Sequence, residues 1–77
     1  MKNIIYFKVN KGMDGYYVAS AMDFPIITQA KDLDELVSNV QEASELYFEE
    51  STEEAGNISK TPSLLMNFEV PLFRAYA

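Results

Sequence analysis

The first thirty residues contain segments with the sequence pattern of β-strands, in which side chains alternate between a buried and an exposed face. The first strand is predicted over Asn3–Asn10, where Ile5, Phe7 and Val9 alternate with Ile4, Tyr6 and Lys8. Lys11–Gly15 contains two glycines and an aspartate, which is typical of a hairpin connection, and Tyr16–Ala21 is again β-prone. Pro25 ends this pattern because proline has no N–H to donate to a sheet, so Ile26–Gln29 is predicted as a short third strand.

From Asp32 onward the period changes to that of an amphipathic helix. Apolar residues recur at spacings of three and four, namely Leu33, Leu36, Val37, Val40, Ala43 and Tyr47. Asp32 and Glu35 have the N-cap and N3 spacing of a capping box, and both carboxylates suit the positive end of the helix dipole. Gly56 followed by Asn57 is typical of a C-terminal cap. The sequence therefore predicts one helix of roughly 20 residues or a little more.

The last predicted strand is Ser63–Val70, in which Leu64, Met66, Phe68 and Val70 alternate with Leu65, Asn67 and Glu69. Pro71 ends it. Aromatic residues that follow strand periodicity are usually core residues, so Phe7 and Phe68 are expected in the core. The predicted order is β-β-β-α-β, an α+β fold with an antiparallel-rich sheet and one long helix packed on one face. Because a chain of this length has room for one core, residues 1–77 are expected to form a single domain.

One face of the predicted sheet lacks a cover. A single helix covers only one face of four strands, yet both faces of the first two strands contain apolar or aromatic side chains, including Ile4, Tyr6, Tyr16 and Val18. An uncovered apolar face or an unpaired edge strand is a normal site for dimerisation or partner docking, and we expect a homo-oligomer. The alternative, that Tyr6 and Tyr16 are ordinary amphipathic surface residues, stays open.

The charge of the chain is negative and localised. Six basic and twelve acidic residues give 6 − 12 = −6, and Asp32–Glu54 contains nine carboxylates but no Lys or Arg. Such a field repels nucleic-acid phosphates and attracts a basic partner, although a helix face that only aids solubility would have the same charge. For partner binding the sequence predicts Tyr6 and Tyr16 as sheet-face contacts. The predicted electrostatic steering groups are Glu42, Glu45, Glu49 and Glu50.

Composition removes most catalytic chemistry. The chain has no histidine and no cysteine, so it has no Ser–His or Cys–His nucleophile, no thiolate metal site and none of the usual zinc sites. Its three glycines are isolated, and none belongs to a phosphate-binding loop. One catalytic alternative is a carboxylate cluster around two Mg²⁺ ions, for instance Asp14, Asp23, Glu42 and Glu69. Acidic residues are so common here that such a set arises by accident, and we expect no enzyme, no metal and no cofactor.

Hydropathy gives an expectation about location. No apolar run approaches the roughly 20 residues of a membrane helix. The N-terminal segment is too short for a signal peptide, and its apolar and polar residues alternate instead of forming one apolar run. Without cysteines, nothing in the composition indicates an oxidising compartment. We therefore expect a cytoplasmic protein with no membrane contact.

The stretch Gly15–Glu50 resembles the N-terminal domain of the HicB family of antitoxins. The resemblance rests on Gly-Tyr-x-Val-Ala at 15–19, Phe24-Pro25, Thr28-Gln29 and the helical segment Asp-Glu-Leu…Asn-Val-x-Glu-Ala…Leu-Tyr between 34 and 47. The chain departs from the family at Ile26 and Ala30, where glycines are usual, and at Asp32, which replaces a threonine helix cap. Asp at this position preserves the capping hydrogen bond.

The resemblance implies a partial RNase H-like fold without a nuclease site. It also implies a domain that binds and blocks a small basic RNA-cleaving toxin of the HicA type, in agreement with the acidic charge. Many family members continue into a DNA-binding domain, whereas this chain ends at Ala77, so direct nucleic-acid binding is not expected. The alternative functions are a stand-alone homo-oligomeric scaffold or adaptor of HicB-like fold with no toxin partner, and a metal-dependent nuclease remnant.

Overall fold

Four strands and one long helix form the fold, in the predicted order. The computed structural model describes residues 2–69 and residue 72. Its elements are β1 (Lys2–Lys11), β2 (Tyr17–Ala21), β3 (Ile27–Ala30), α1 (Leu33–Glu50), α2 (Thr52–Ala55) and β4 (Ile58–Phe68). The strands are ordered β3-β2-β1-β4 in one sheet, in which β1 is antiparallel to β2 and parallel to β4, and β2 is antiparallel to β3. The α+β class and the antiparallel-rich sheet with one long helix are confirmed.

The β1–β2 hairpin is closed by the predicted glycine-containing turn. Gly15 has a φ of 87°, a backbone conformation that a residue with a Cβ adopts only with strain. Its N–H donates to the carbonyl of Gly12 at 3.0 Å, and the Asp14 carboxylate accepts from the N–H of Tyr16 at 3.0 Å. The turn fixes a register that places Val9 opposite Ala19.

The core lies between α1 and one face of the sheet. Its buried residues are Ile5, Phe7, Val9, Ala19, Phe24, Ile26, Ala30, Leu36 and Val40. Phe24, from the turn before β3, packs its ring edge-on against Phe48 with the centroids 5.0 Å apart and closes one end of the core. The expectation of a core position is confirmed for Phe7 but is wrong for Phe68, which is 52% exposed. Phe68 lies opposite Val9 at the last position of β4, on an edge strand on which α1 does not pack closely.

The two ends of the helix differ in how well the sequence marks them. The Asp32 carboxylate accepts from the Glu35 N–H at 2.8 Å, which confirms the predicted N-cap. The C-terminal end differs from the prediction: α1 stops at Glu50, Ser51 leaves the helical conformation, and Gly56 caps only the four-residue α2, with a φ of −68°. Four glutamates and no basic residue lie at the negative end of the helix dipole here, and serine and threonine compete for backbone hydrogen bonds, so a break is favoured.

The last strand begins five residues earlier than the sequence predicts. Lys2 lies opposite Ile58 and Ile4 lies opposite Ser63, so a step of two residues on β1 faces a step of five on β4. Pro62 lies in this irregular stretch of an edge strand, where its missing N–H costs no hydrogen bond within the sheet. The predicted strand end at Val70 lies outside the described residues. The other three strands agree with their predicted bounds to within one residue.

Candidate protein-binding surfaces

The sheet register divides the strand residues between the covered face and the face that points away from α1, here called the open face. Residues directly opposite each other share a face, and Tyr6 pairs with Leu65, while Ser20 pairs with both Lys8 and Ile27. The open face consists of Ile4, Tyr6, Lys8, Asn10, Val18, Ser20, Ile27, Gln29, Ser63, Leu65 and Asn67. Apolar side chains remain exposed on it, with 40% exposure at Ile4 and 68% at Ile27. The predicted uncovered apolar face is therefore present.

The two tyrosines predicted as partner contacts lie on the open side but not together. Tyr6 is 40% exposed and its carbonyl accepts from the N–H of Met22. Tyr16, half-buried, lies at the far end of the hairpin, where the Nζ of Lys31 is 6.0 Å from its ring centroid. The N–H of Gly12 donates to the carbonyl of Tyr16, so these two residues are neighbours. Gly12 is six residues from Tyr6 along the chain, which is roughly 20 Å in a strand. A single compact interface therefore does not contain both tyrosines.

The predicted carboxylates lie on the opposite side of the molecule, on α1. Glu42, Glu45 and Glu49 are exposed and spaced by three and four residues, so they form one stripe along the helix. Glu50 is exposed too, but is rotated about 100° around the helix from Glu49. The carboxylate stripe, as we name the first three, is therefore separated from the tyrosines by the full thickness of the sheet and helix. The predicted site is two separate surfaces.

Glu45, the middle residue of the stripe, borders an apolar groove that the sequence did not predict. α1 packs mainly against β3 and β2, and the Asn39 side chain donates to the Gln29 carbonyl at 3.0 Å. The helix is thereby held toward the β3 edge, and a groove of about 680 Å³ remains between α1 and β4. The α1–β4 groove is lined by Val37, Ser44, Glu45, Phe48, Leu64 and Met66, among others.

A sequence signal for this groove exists but is incomplete. Val37 and Phe48 extend the apolar arc of the helix beyond the residues that the core buries, and Val37 is 44% exposed. An arc wider than the core needs indicates a second apolar contact. The position of α1 across the sheet decides whether that contact is with β4 or with solvent, and helical periodicity does not encode this position.

The carboxylate cluster considered as a metal site is not assembled. Asp14 accepts a hydrogen bond in the hairpin turn, Asp23 forms an ion pair with Lys2 at 2.9 Å, and Glu42 lies on α1. Across residues 2–69 and 72, no three acidic side chains converge in a way that would hold a metal ion. In the same part of the chain, no helix is long and apolar enough to cross a membrane.

Comparison with known proteins gives one partial relationship. The chain matches no protein-family model and no solved structure. It is 52% identical over 42 residues to a UPF0150 protein of Archaeoglobus fulgidus, a match that covers 53% of this chain. The matched part spans 61% of the length of that relative. The chain is thus similar to a UPF0150 protein over about half of its own length.

Proposed function

We propose that this chain is a HicB-like antitoxin domain that binds and neutralises a small basic HicA-type RNA-cleaving toxin in the cytoplasm. The observation that carries the proposal is the unpaired acidic side of α1. Among the described residues, the one ion pair joins Lys2 to Asp23, so within that part of the chain the carboxylate stripe forms no ion pair. A cluster of exposed carboxylates accelerates association with a basic protein and makes the association sensitive to salt.

Two sequence relationships support the same proposal. The residues at 15–50 resemble the HicB family, and UPF0150, the name of the similar archaeal protein, denotes a HicB-like family. The domain acts by binding, because the residue types of most hydrolytic mechanisms are missing from the chain. Purified protein supplied with Mg²⁺ or Mn²⁺ is accordingly expected to leave RNA intact.

The experiment that tests the proposal is co-purification from the native host. Tagged protein at native level, washed at low and then at high salt, is expected to retain a small basic protein and to release it at high salt. Glu45→Gln with Glu49→Gln should weaken retention. A matched control, Glu53→Gln with Glu69→Gln, removes the same charge from exposed positions outside the stripe and should weaken it less. Recovery of correctly folded protein with no basic partner would contradict the antitoxin proposal.

The open face favours a second candidate, a homo-oligomeric scaffold or adaptor. Four large apolar side chains on it, Ile4, Tyr6, Ile27 and Leu65, are each at least 40% exposed. Large exposed apolar side chains on one sheet face are typical of interaction sites. A stable oligomer that is recovered alone and is insensitive to salt would favour this candidate over the first.

A further inference from the structure

We propose that the α1–β4 groove is the docking site for an amphipathic helix of the basic partner, with apolar side chains in the groove and Lys or Arg beside the carboxylate stripe. The floor of the groove is apolar, with Phe48 and Leu64 on its two sides, and Glu45 stands at its edge. Only the identity of the partner as a toxin depends on the proposed function. The groove and its chemistry stand on the structure.

Charge complementarity specifies the partner. Gln41 and Glu45, four residues apart, line the helical wall of the groove. Glu49 continues this row one turn further along α1. A ligand with apolar residues alone would leave this row unpaired, whereas a helix with cationic flanks satisfies both the floor and the rim.

The irregular first part of β4 favours a helix over an added strand as the occupant. Strand addition needs a regular row of free backbone donors and acceptors along an edge. β4 is an edge strand, but its register against β1 shifts between Ile58 and Ser63, and Pro62 lacks an N–H in that stretch. The same residues line the groove. A helix, whose own backbone is internally bonded, needs none of these groups.

A buried hydroxyl lies behind the helical wall of the groove. Ser44 lines the groove from α1, is 6% exposed, and its Oγ has no hydrogen-bond partner among the described residues. Buried polar groups are nearly always paired in folded proteins. The Oγ has less than 1 Å² of accessible surface, so a helix docked in the groove does not reach it. Ser44→Ala is therefore expected to leave docking unchanged and the folded state at least as stable.

The length of the groove fits a short helix. From Val37 to Phe48 its helical wall advances eleven residues, or roughly 16 Å. Three turns of a docked helix span this distance and present anchors at i, i+3 or i+4, and i+7. The probe is therefore a synthetic 14-residue peptide with leucines on one helical face and lysines on the other. A second peptide of the same composition, with the leucines distributed around the helix, controls for charge alone.

Binding of the fluorescently labelled peptides to the full chain is measured by anisotropy. The facial peptide should bind, and Val37→Arg should weaken it by about tenfold or more, equivalent to at least 1.4 kcal/mol. The matched control is Leu46→Arg, which adds the same charge at an exposed apolar position on the other side of α1 and should change affinity by less than about twofold. Both sites are exposed, so neither variant disturbs the core.

Four results would overturn the proposal. These are equal binding of the two peptides, equal effects of Val37→Arg and Leu46→Arg, amide chemical-shift changes confined to the open face, and binding seen only after residues 70–77 are deleted. The last would mean that the chain's own end fills the groove. Facial-peptide binding without any co-purified basic protein would support the groove and contradict the antitoxin proposal. A co-purified toxin whose retention survives Val37→Arg would do the reverse.

Discussion

The helix side and the open face of this small domain expose different kinds of side chain. α1 contains seven acidic and no basic positions counting its Asp32 cap, whereas the open face contains a single charged position, Lys8, among apolar and neutral polar residues. α1 packs on one face of the sheet and cannot also cover the other face. The two surfaces are therefore suited to different contacts, the helix side to a basic partner and the open face to burial of apolar area.

This difference also restricts how two copies associate. Two helix sides repel each other because each has the carboxylate stripe, so a symmetric dimer is favoured through the open faces. Such a dimer leaves both stripes and both α1–β4 grooves pointing outward. In the proposed arrangement, self-association and partner binding would use opposite sides of the chain and would not compete.

The largest expected effect separates the two faces at adjacent residues of β1. Phe7 is fully buried on the covered face, whereas Tyr6 is 40% exposed on the open face. Phe7→Ala should lower the free energy of unfolding by about 3–5 kcal/mol, while Tyr6→Ala should cost less than about 1 kcal/mol. Chemical denaturation at low protein concentration measures both. The free energy of unfolding expected for 77 residues is about 4–12 kcal/mol, and the loss in Phe7→Ala is a large share of it. Phe7→Leu therefore provides a milder variant.

A large cost at Tyr6 would break the comparison. It would mean that the open face is buried in solution, and the midpoint of unfolding would then rise with protein concentration because oligomerisation contributes to stability. A midpoint independent of concentration, together with a small cost at Tyr6, would confirm that the two faces differ as described.

The faces of the strands were predictable, but the position of the helix across the sheet was not. Alternation at Ile5, Phe7 and Val9 identified the covered face because strand periodicity is a local property of the chain. The Asp32 cap was likewise readable from a four-residue motif. The offset of α1 toward β3 depends on contacts between residues far apart in sequence, such as Asn39 with Gln29, and local patterns do not specify it.

The candidate site shows the same division between local and long-range information. Exposure of the glutamates on α1 follows from helical periodicity, which is a local property of the chain. Their separation from Tyr6 and Tyr16 follows from which face α1 covers, so the predicted contacts divide into two surfaces. Pro62 was expected to precede the last strand, and it lies inside β4 because an edge strand tolerates proline where its register shifts.

The next effect concerns self-association through the open face. The four strands contain 10, 5, 4 and 11 residues. At about 3.3 Å per residue and about 4.8 Å between strands, they give a face of roughly 500 Å² per copy. This area is at the low end of specific interfaces, so a weak, concentration-dependent dimer is expected. Ile4→Lys should raise the dimer dissociation constant by about tenfold or more, because an ammonium group would be desolvated against apolar side chains. Sedimentation equilibrium measures the constant.

The control for this prediction places the same charge on the helix side. Leu46 is 51% exposed on α1, so Leu46→Lys should leave the dissociation constant unchanged within about twofold. If Leu46→Lys dissociates the dimer and Ile4→Lys does not, the copies associate through their helices and the proposed arrangement is wrong.

The smallest effect tests whether the helix side is independent of the open face. Asp32→Ala removes the carboxylate that accepts from the Glu35 N–H and should lower the free energy of unfolding by about 1 kcal/mol, whereas Asp32→Ser retains a capping oxygen and should restore most of it. Because the cap lies at the start of α1, on the covered side, the dimer dissociation constant should stay constant in both variants. A cap variant that alters self-association as well as stability would show that the two sides are coupled through the sheet, and the helix side could then transmit partner binding to the open face.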